Sequence, residues 1–413
     1  AYGVYEVEIT LLPMQEYINT PAIVHYNKKD YKITSYNPSI LPYCEECFET
    51  NTPNHNLHIT KIDLSKSIYL VDEEAVKNNP THHWLFSGGI QIDTFILPPN
   101  LVYPMLIMPF YTWGGKERGM NYKRMPCIST LIVTNPNSNV NTFGFANSRD
   151  IEEIDISIVN VDSLTRTKGT VYPIFQECWS LKKVKLPKQL KYIGSDTFVG
   201  CLHLTDAKLP YTLEYIGYGA FAYCKLDSLF IPANVSFLEP NFLGFNYHLK
   251  KIEVDSLNKH YESKDGVVYT KGRDTIHVIP YALELDTLFF QHNISAVNDY
   301  AFSLQPFRFS FPASDDFVQQ IYDSLHMIRH FVANTKLKHL GERAFFYSPI
   351  ESFLNFEKTS VNVIPNECFR MSRIKNIKFP TELTTIEKMA FCDCNQLESV
   401  EFTREFTSKI DSL

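Results

Sequence analysis

Residues 186–208 read LPKQLKYIGSDTFVGCLHLTDAK, and residues 209–230 read LPYTLEYIGYGAFAYCKLDSLF. The two segments are near-copies of each other, and Phe198 of the first corresponds to Phe221 of the second, 23 positions later. A repeat length of roughly 20–50 residues is typical of solenoids, in which each repeat buries its apolar face only against its neighbours. These segments therefore predict a repeat architecture.

The matching aromatic position recurs along most of the chain, and we call it the anchor. A small residue usually precedes the anchor, and a turn follows it. In the regular parts of the chain, successive anchors are 21 to 24 residues apart. The anchors, with degenerate copies at Val76 and Phe110, are Phe48, Val76, Phe110, Phe145, Phe175, Phe198, Phe221, Phe242, Phe302, Phe345, Phe369 and Phe391.

Each repeat also carries a short alternating segment after its anchor, such as LKKVKLP, LDSLFIP or IKNIKFP. Alternation of apolar and polar residues predicts a β-strand with one buried face, and the proline ends it because proline has no N–H to donate. Strands of successive repeats should pair in parallel, roughly 4.8 Å apart. The predicted fold class is therefore a β-rich α/β repeat solenoid, with one parallel strand for each anchor from Phe175 onward.

The fit to this period divides the chain into segments. Residues 1–45 alternate around a turn at 27–30 and predict a strand and a β-hairpin that cap the first repeat. The remaining segments are 46–170 with irregular repeats, 171–260 with regular repeats, 261–280 as an insertion, 281–402 with further repeats, and 403–413 as a C-terminal tail.

Two insertions interrupt the repeats. Residues 261–280 alternate on both sides of Lys271-Gly272-Arg273-Asp274, which predicts a β-hairpin with its turn there. Residues 313–332 predict a helix, since Ser314 can act as N-cap and apolar residues follow at helical spacing. The apolar stripe of this helix could pack on the solenoid, which we favour, or could bind a partner.

The composition narrows the function classes. The chain has 413 residues, a net charge of −7 and no block rich in Lys or Arg. Because nucleic-acid affinity comes largely from neutralising phosphates, these features argue against a nucleic-acid partner. No run of 18 apolar residues occurs, so we expect no membrane span. The chain begins with Ala1 rather than Met, which is compatible with a removed signal peptide.

The anchor-and-strand pattern resembles that of the BspA-like leucine-rich repeat family of bacterial and protist surface proteins, LxxIxIPxxVxxIGxxAFxxCxxL. The resemblance implies a curved, right-handed superhelical solenoid that is secreted or displayed at the cell surface. It also implies binding or adhesion to a protein partner of the host or the extracellular matrix, without catalysis and without a cofactor. The matching residues are Leu209, Pro210, Leu213, Ile216, Gly217, Ala220, Phe221, Cys224, Leu383, Ile386, Ala390, Phe391, Cys394 and Leu397.

Cysteines and histidines raise the question of a metal site. Cys44 and Cys47 with His55 and His58 could form a zinc tetrahedron, but the pairs are only seven residues apart and Cys47 directly precedes the anchor Phe48. We therefore favour packing and predict no metal site.

Three further cysteines recur 23 residues apart at Cys178, Cys201 and Cys224. In stacked repeats their thiols would lie in one column, where a disulfide needs narrow Cβ geometry. Buried free thiols that fill apolar space are the favoured interpretation.

The polar residues of the alternating strands would form a ladder on the concave sheet face. It could be a set of ion pairs that satisfy one another, or a mixed-charge groove for a protein partner with Phe230 and Ile132 as apolar contacts. The predicted partner-binding residues are Lys183, Lys185, Asp206, Lys208, Phe230, Lys251 and Glu253. The predicted ladder runs through Lys61 and Asp63, Thr94 and Ile96, Thr130 and Ile132, Glu153 and Asp155, Lys183 and Lys185, Asp206 and Lys208, Ser228 and Phe230, Lys251 and Glu253, Asn376 and Lys378, and Ser399 and Glu401.

A glycan ligand is the alternative function. Trp84 and Trp113, with tyrosines of the irregular repeats, could stack on sugar rings. No phosphate-binding loop and no G-x-S-x-G nucleophile motif is present, so we predict that the protein is not an enzyme.

Overall fold

The structure is a computed structural model. It describes residues 127–141, 150–165, 173–304 and 327–403, the segments 5–9, 17–19, 23–26, 29–36, 58–63 and 91–97, and residues 65, 99, 145, 146 and 148. The chain divides into two compact units. Unit 1 comprises Ala1–Leu190 and Gly200–Leu204, and unit 2 comprises Lys191–Val199 and Thr205–Leu413.

The N-terminal segment contains four strands. The third and fourth strands pair antiparallel, and the first strand pairs in parallel with the fourth. The role of this segment as a cap stays a prediction. The strands are β1 (Tyr5–Ile9), β2 (Tyr17–Asn19), β3 (Ile23–Tyr26) and β4 (Lys29–Tyr36).

A parallel sheet of six strands runs through unit 1. Its order is β10-β8-β7-β6-β5-β2, so each successive repeat adds its strand beside the previous one. The irregular repeats therefore also contribute one strand each, although the prediction covered only the repeats from Phe175 onward. The further strands of unit 1 are β5 (His58–Asp63), β6 (Gln91–Ile96), β7 (Cys127–Ile132), β8 (Glu153–Asp155), β9 (Ser163–Leu164) and β10 (Lys183–Lys185).

Unit 2 begins with two sets of parallel strands. The apolar pair before each anchor forms a short strand, and three of these pair in the order β11-β12-β14, while β13 pairs with β15. At the predicted strand of Asp206 and Lys208, Asp206 forms a single bridge and no strand is present. The strands are β11 (Tyr192–Ile193), β12 (Tyr215–Ile216), β13 (Ser228–Ile231), β14 (Phe237–Leu238) and β15 (Lys251–Val254).

The segment 261–280 contains three antiparallel strands. β16 (Tyr261–Lys264), β17 (Val267–Thr270) and β18 (Thr275–Val278) pair antiparallel in sequence order. The predicted turn separates the last two strands. A second turn, at Asp265-Gly266, separates the first two and was not predicted.

The repeats resume after the insertion with a parallel five-stranded sheet, β19-β21-β23-β25-β27, and with further short strands between its members. A 3₁₀ turn spans Phe356–Lys358. The strands are β19 (Thr287–Phe289), β20 (Ala296–Val297), β21 (His330–Val332), β22 (His339–Leu340), β23 (Ser352–Leu354), β24 (Val363–Ile364), β25 (Asn376–Phe379), β26 (Thr385–Ile386) and β27 (Ser399–Phe402).

The predicted helix at 313–332 is wrong at its C-terminal end. His330–Val332 is strand β21, which pairs with β19 and β23. Phe331 alternates inward and is fully buried, so strand pairing on both sides outweighs the helical spacing of the apolar residues. Residues 313–326 lie outside the described part of the chain.

The anchors form the core, as predicted. In unit 2 the rings of Phe198 and Phe221 stack at 5.1 Å with an interplanar angle of 9°, and those of Phe345, Phe369 and Phe391 stack at 5.2 Å between neighbours. All five rings are buried. Burying each anchor ring stabilises the fold by roughly 1.5–3 kcal/mol before entropy is subtracted. Each repeat is therefore stable only when its neighbours bury its ring.

The turn around each anchor has a backbone conformation that the sequence does not predict. Left-handed residues occur two positions before and two positions after most anchors, and most of them are not glycine. Such backbone costs on the order of 1–3 kcal/mol and persists only when surrounding structure fixes it. The left-handed residues before the anchors are Asp196, Gly219, Tyr300, Arg343, Glu367 and Met389, and those after them are Glu177, Gly200, Tyr223, Tyr347, Met371 and Asp393.

Candidate partner-binding face

The outward side chains of β8 and β10 in unit 1 form the ladder that the sequence predicted. The Cα register places Glu153 opposite Lys183 and Asp155 opposite Lys185. Lys183 Nζ is 3.4 Å from Glu153 Oε1, and Lys185 Nζ is 3.3 Å from Glu153 Oε1 and 2.9 Å from Asp155 Oδ2. The charges of this face are therefore largely satisfied within the ladder.

The pKa of Asp155 is lowered, in part by its pairing with Lys185. Partial burial would raise the pKa of this carboxyl, but hydrogen bonds from Ser157 and Lys185 outweigh burial and lower it. The carboxylate accepts from both Ser157 N–H and Ser157 Oγ–H, at 3.0 and 2.6 Å. Asp155 is therefore held ionised by its own neighbours.

The other predicted partner-binding residues lie in unit 2. Phe230 is 43% exposed and lies opposite Glu253, which pairs with Lys251 at 3.0 Å in the same strand. Asp206 and Lys208 are exposed and 3.9 Å apart. Phe230 is thus the one apolar residue of the predicted set, and it lies among charges that already have partners.

Sequence reasoning missed an apolar row on the next sheet of unit 2. Phe289 of β19, Val332 of β21 and Leu354 of β23 lie side by side in register and face outward. Phe289 is 68% exposed and Leu354 is 51% exposed, while Val332 is half-buried. We call these three residues the apolar row. The predicted ladder contained no residue between Glu253 and Asn376, because the two insertions interrupt the repeat period there. The alternation of an inward Leu288 and an outward Phe289 was nevertheless visible in the sequence.

A polar row runs beside the apolar row on the same sheet. Nδ1 of His330 lies 2.8 Å from Ser352 Oγ, and Ser399 Oγ donates to Asn376 Oδ1 at 2.5 Å. The sheet ends in a charge pair, since Lys378 Nζ lies 3.3 Å from Glu401 Oε2. The apolar row therefore has a polar margin on one side and a charged pair at one end. The polar row comprises Thr287, His330, Ser352, Asn376 and Ser399.

Charged residues next to these strands add an ordered margin. Glu351 accepts from Lys375 Nζ at 2.6 Å and from Arg329 Nη1 at 3.2 Å. Partial burial would raise the pKa of Glu351, but the hydrogen bond from Lys375 and the two cations outweigh it, and the pKa is lowered. Glu351 thus stays ionised beside β23 and fixes both cations.

The repeated cysteines are free and buried, as predicted, but they do more than fill space. Cys178 and Cys201 of unit 1 donate their thiol hydrogens to the carbonyls of the preceding anchors, Phe145 and Phe175, at 2.9 and 3.2 Å. In unit 2 the side-chain amide of Asn246 does the same for Phe221 at 2.6 Å. The side chains at these positions therefore donate hydrogen bonds to anchor carbonyls that are not paired within a β-sheet.

Several predicted features lie outside the described residues: Cys44, Cys47, His55, the side chain of His58, Trp84 and Trp113. Among the residues that the structure does describe, no three His, Cys, Asp or Glu side chains are grouped to hold a metal ion. No helix within the described ranges is long and apolar enough to cross a membrane.

The comparison with protein families gives one match. Residues 172–264 and 309–412 match the BspA type leucine rich repeat region, in six copies. A search of curated proteins found no match. The matched residues contain the anchors from Phe175 to Phe242 and from Phe345 to Phe391, as well as the start of the hairpin insertion.

Solved structures resemble this chain at low identity. A leucine rich cell surface protein from Faecalibacterium prausnitzii A2-165 is 15% identical and aligns over 96% of this chain and 90% of its own, with a TM-score of 0.49. A leucine-rich repeat protein from Eubacterium ventriosum is 18% identical over 66% of this chain and 72% of its own, with a TM-score of 0.48. The pneumococcal vaccine antigen PcpA is 15% identical over 97% of this chain and 72% of its own, with a TM-score of 0.49. The parallel pairing of strands from successive repeats in this chain itself defines the repeat fold.

Proposed function

We propose that this protein is a non-catalytic binding protein, secreted or displayed at the cell surface, because residues 172–264 and 309–412 match the BspA type leucine rich repeat region. Its partner is another protein, of the host or the extracellular matrix. The partner contacts the outward face of the sheet β19-β21-β23 in unit 2.

The exposure of the apolar row carries this proposal. Two large apolar side chains, Phe289 and Leu354, are more than half exposed on a rigid sheet, with Val332 between them. Neighbouring parallel strands are roughly 4.8 Å apart, so the three side chains form one contiguous patch. Exposed apolar patches with a polar rim mark interaction sites, whereas single exposed apolar residues do not.

The surroundings of the row suit a protein partner. Interfaces combine a central apolar or aromatic contact with a polar margin that stays partly hydrated. Phe289 supplies the aromatic contact, while the polar row and the Arg329–Glu351–Lys375 group supply the margin. Because the margin is fixed by its own hydrogen bonds, little side-chain entropy is lost when a partner docks.

The test measures binding of the purified chain to immobilised extracellular matrix proteins and, in parallel, to a glycan array. The double variant Phe289→Ser and Leu354→Ser should weaken binding to the recognised matrix protein by about tenfold or more, since it removes the central contact. The matched control, Lys183→Met and Lys185→Met in unit 1, should change binding less than about twofold, because rim charges contribute little to affinity.

Three outcomes would overturn the proposal. The first is matrix binding that the unit 2 variant leaves intact, and the second is binding to glycans but to none of the proteins. The third is catalytic turnover that one group of substitutions abolishes.

A further inference from the structure

The hairpin insertion creates a groove in unit 2. Between β15 and β19 lies a cavity of approximately 670 Å³, lined among others by Lys250, Asp265, Leu285, Thr287 and Phe289. This volume falls in the range of roughly 300–1,000 Å³ that is usual for ligand sites. The groove exists because the hairpin replaces the strand that would otherwise continue the parallel sheet from β15 to β19.

On the β15 side, the hairpin occupies the sheet edge. Ile252 N–H donates to the carbonyl of Gly266 at 2.9 Å, and Val254 N–H donates to Ser263 Oγ at 2.9 Å. Gly266 has a φ of +83°, and a Cβ there would lie 2.9 Å from Leu283 Cδ1 and 3.2 Å from Lys251 Cβ. The turn can therefore lie against β15 only as glycine, and it leaves no room for pairing on that side.

On the β19 side, the sheet edge is open. The carbonyl of Asp286 and the N–H of Phe290 bond to β21. Because alternate residues of a parallel strand direct their main-chain groups to opposite sides, Thr287 and Phe289 direct their N–H and C=O groups toward the groove. Among the described residues these groups have no main-chain partner, and β19 is the first strand of its sheet.

The side chains of the groove favour a peptide with a basic residue. Lys250 pairs with Glu284 at 3.2 Å and Lys251 pairs with Glu253 at 3.0 Å. The exposed carboxylate of Asp265 has no ion pair within the part of the chain that the structure describes. Of the two carboxylates that line the groove, Glu284 and Asp265, only Asp265 is therefore left to pair with a cation of a ligand.

We propose that this groove binds an extended polypeptide segment of the partner protein by adding it as a strand to the open edge of β19. Main-chain hydrogen bonds to Thr287 and Phe289 hold the segment, and alternate side chains of an added strand point to one face. An apolar side chain of the segment contacts Phe289, and a Lys or Arg side chain reaches Asp265. This inference deepens the proposed function, because it names the class of segment that the partner presents.

The experiment selects short random peptides displayed on phage against the immobilised full chain and measures synthetic copies of the enriched sequences by fluorescence anisotropy. Thr287→Pro removes an N–H that points to the groove and takes part in no bond to β21, so β19 should keep its pairing. We expect this variant to weaken peptide binding by about tenfold or more. Thermal unfolding of the variant checks that it remains folded.

Two further arms make the result independent of that variant. Asp265→Asn keeps a residue that tolerates the left-handed turn and should remove the preference for basic peptides. Peptides methylated at alternate main-chain nitrogens should lose binding to the unchanged protein, because they cannot complete the ladder. Lys182→Met in unit 1, which removes an exposed ion pair with Glu152, should leave peptide binding unchanged.

The inference is overturned if no peptide is enriched, or if enriched peptides bind Thr287→Pro and the unchanged protein equally. If Thr287→Pro weakens peptide binding but substitutions in the apolar row leave matrix-protein binding unchanged, the strand-addition inference is supported and the proposed function is wrong. If matrix binding needs the apolar row but not Thr287, the proposed function stands and the strand-addition inference falls.

Discussion

The faces of β8 and β10 in unit 1 and of β19, β21 and β23 in unit 2 are built on the same repeat but present different chemistry. On the first, each outward cation lies within 3.4 Å of a carboxylate of the neighbouring strand. On the second, the register aligns Phe289, Val332 and Leu354, which have no apolar cover within the described residues.

The difference separates folding from recognition within one repeat. The inward positions are apolar on both faces because each repeat is stable only when stacked. The outward positions are free to vary, since exposed ion pairs contribute little to stability and exposed apolar residues are nearly neutral for it. The outward row is therefore where repeats with the same core can acquire a binding surface.

The largest effect should come from the buried side. The ring centroid of Phe345 lies 5.2 Å from that of Phe331 and 5.6 Å from that of Phe353, directly beneath the apolar row. Phe345→Ala should lower the free energy of unfolding by about 3–5 kcal/mol, because it leaves a cavity in a fully buried site. Urea denaturation measures this. The exposed matched control, Phe289→Ala, should cost less than about 0.5 kcal/mol, and a similar loss from both would mean that the row is packed rather than available.

Acid should affect the two units in different pH windows. His277 of unit 2 is buried, its Nδ1 lies 2.9 Å from Asn298 Nδ2, and burial lowers its pKa from 6.5 to about 4. The unfolded chain therefore binds a proton that the folded chain rejects, and this stability is present above pH 6.5 and lost as the pH falls toward 4. The loss is at most about 3 kcal/mol.

For Asp155 of unit 1 the pKa is lowered from 3.8, so its contribution is present above that pH and is lost only below it. Amide hydrogen exchange between pH 7 and 4, followed separately in each unit, measures the difference. Burial raises the pKa of Asp196, also in unit 2, to about 6, so protonation of this carboxyl opposes the His277 loss in the same window. The comparison is therefore made between unit 2 with and without His277→Gln, and the variant should lose less protection in acid. Equal loss from the variant and the unchanged protein would show that another group controls the acid response.

Removing a side chain that donates to an anchor carbonyl should destabilise the fold less than Phe345→Ala does. The loss should be larger for the stronger hydrogen-bond donor. Asn246 is fully buried and donates to the carbonyls of Phe221 and Leu243 at 2.6 and 2.8 Å. Asn246→Ala should cost about 1–3 kcal/mol, because it leaves a buried carbonyl unsatisfied. Cys224→Ala removes a weaker thiol donor, 3.3 Å from the carbonyl of Phe198, and should cost less. Thermal unfolding of both variants orders them, and the reverse order would contradict this explanation of the repeated position.

The smallest effect should come from the charge ladder itself. Lys185→Met in unit 1 removes two exposed ion pairs and should cost less than about 1 kcal/mol, with the loss shrinking as salt is added. Leu354→Ser in unit 2 should show no salt dependence. Urea denaturation at low and high salt checks both, and a loss for Lys185→Met that salt does not reduce would place this pair in a less hydrated environment than its exposure indicates.

Much of the architecture was predictable because its signals are local. The buried anchors, the inward and outward alternation and the ladder register follow from a fixed period of apolar residues, and Glu153 and Asp155 lie opposite Lys183 and Lys185 as the sequence predicted. The strand at His330–Val332 was mistaken for helix because helical spacing and alternation overlap over so short a segment. The apolar row was missed for a related reason, since it lies between two insertions that hid the period.

The sequence by itself determined which side chains are buried and that the strands pair in parallel, because each repeat carries its own apolar spacing and several carry a strand-ending proline. Only the tertiary structure decided which groups remain without a partner. The hairpin covers β15 and leaves β19 open, and left-handed turns form at residues such as Arg343 and Glu367 because neighbouring repeats fix them. The physical reason is that strand edges and several anchor carbonyls take their hydrogen-bond partners from another repeat, roughly twenty to thirty residues away, and no local pattern records whether that partner is in place.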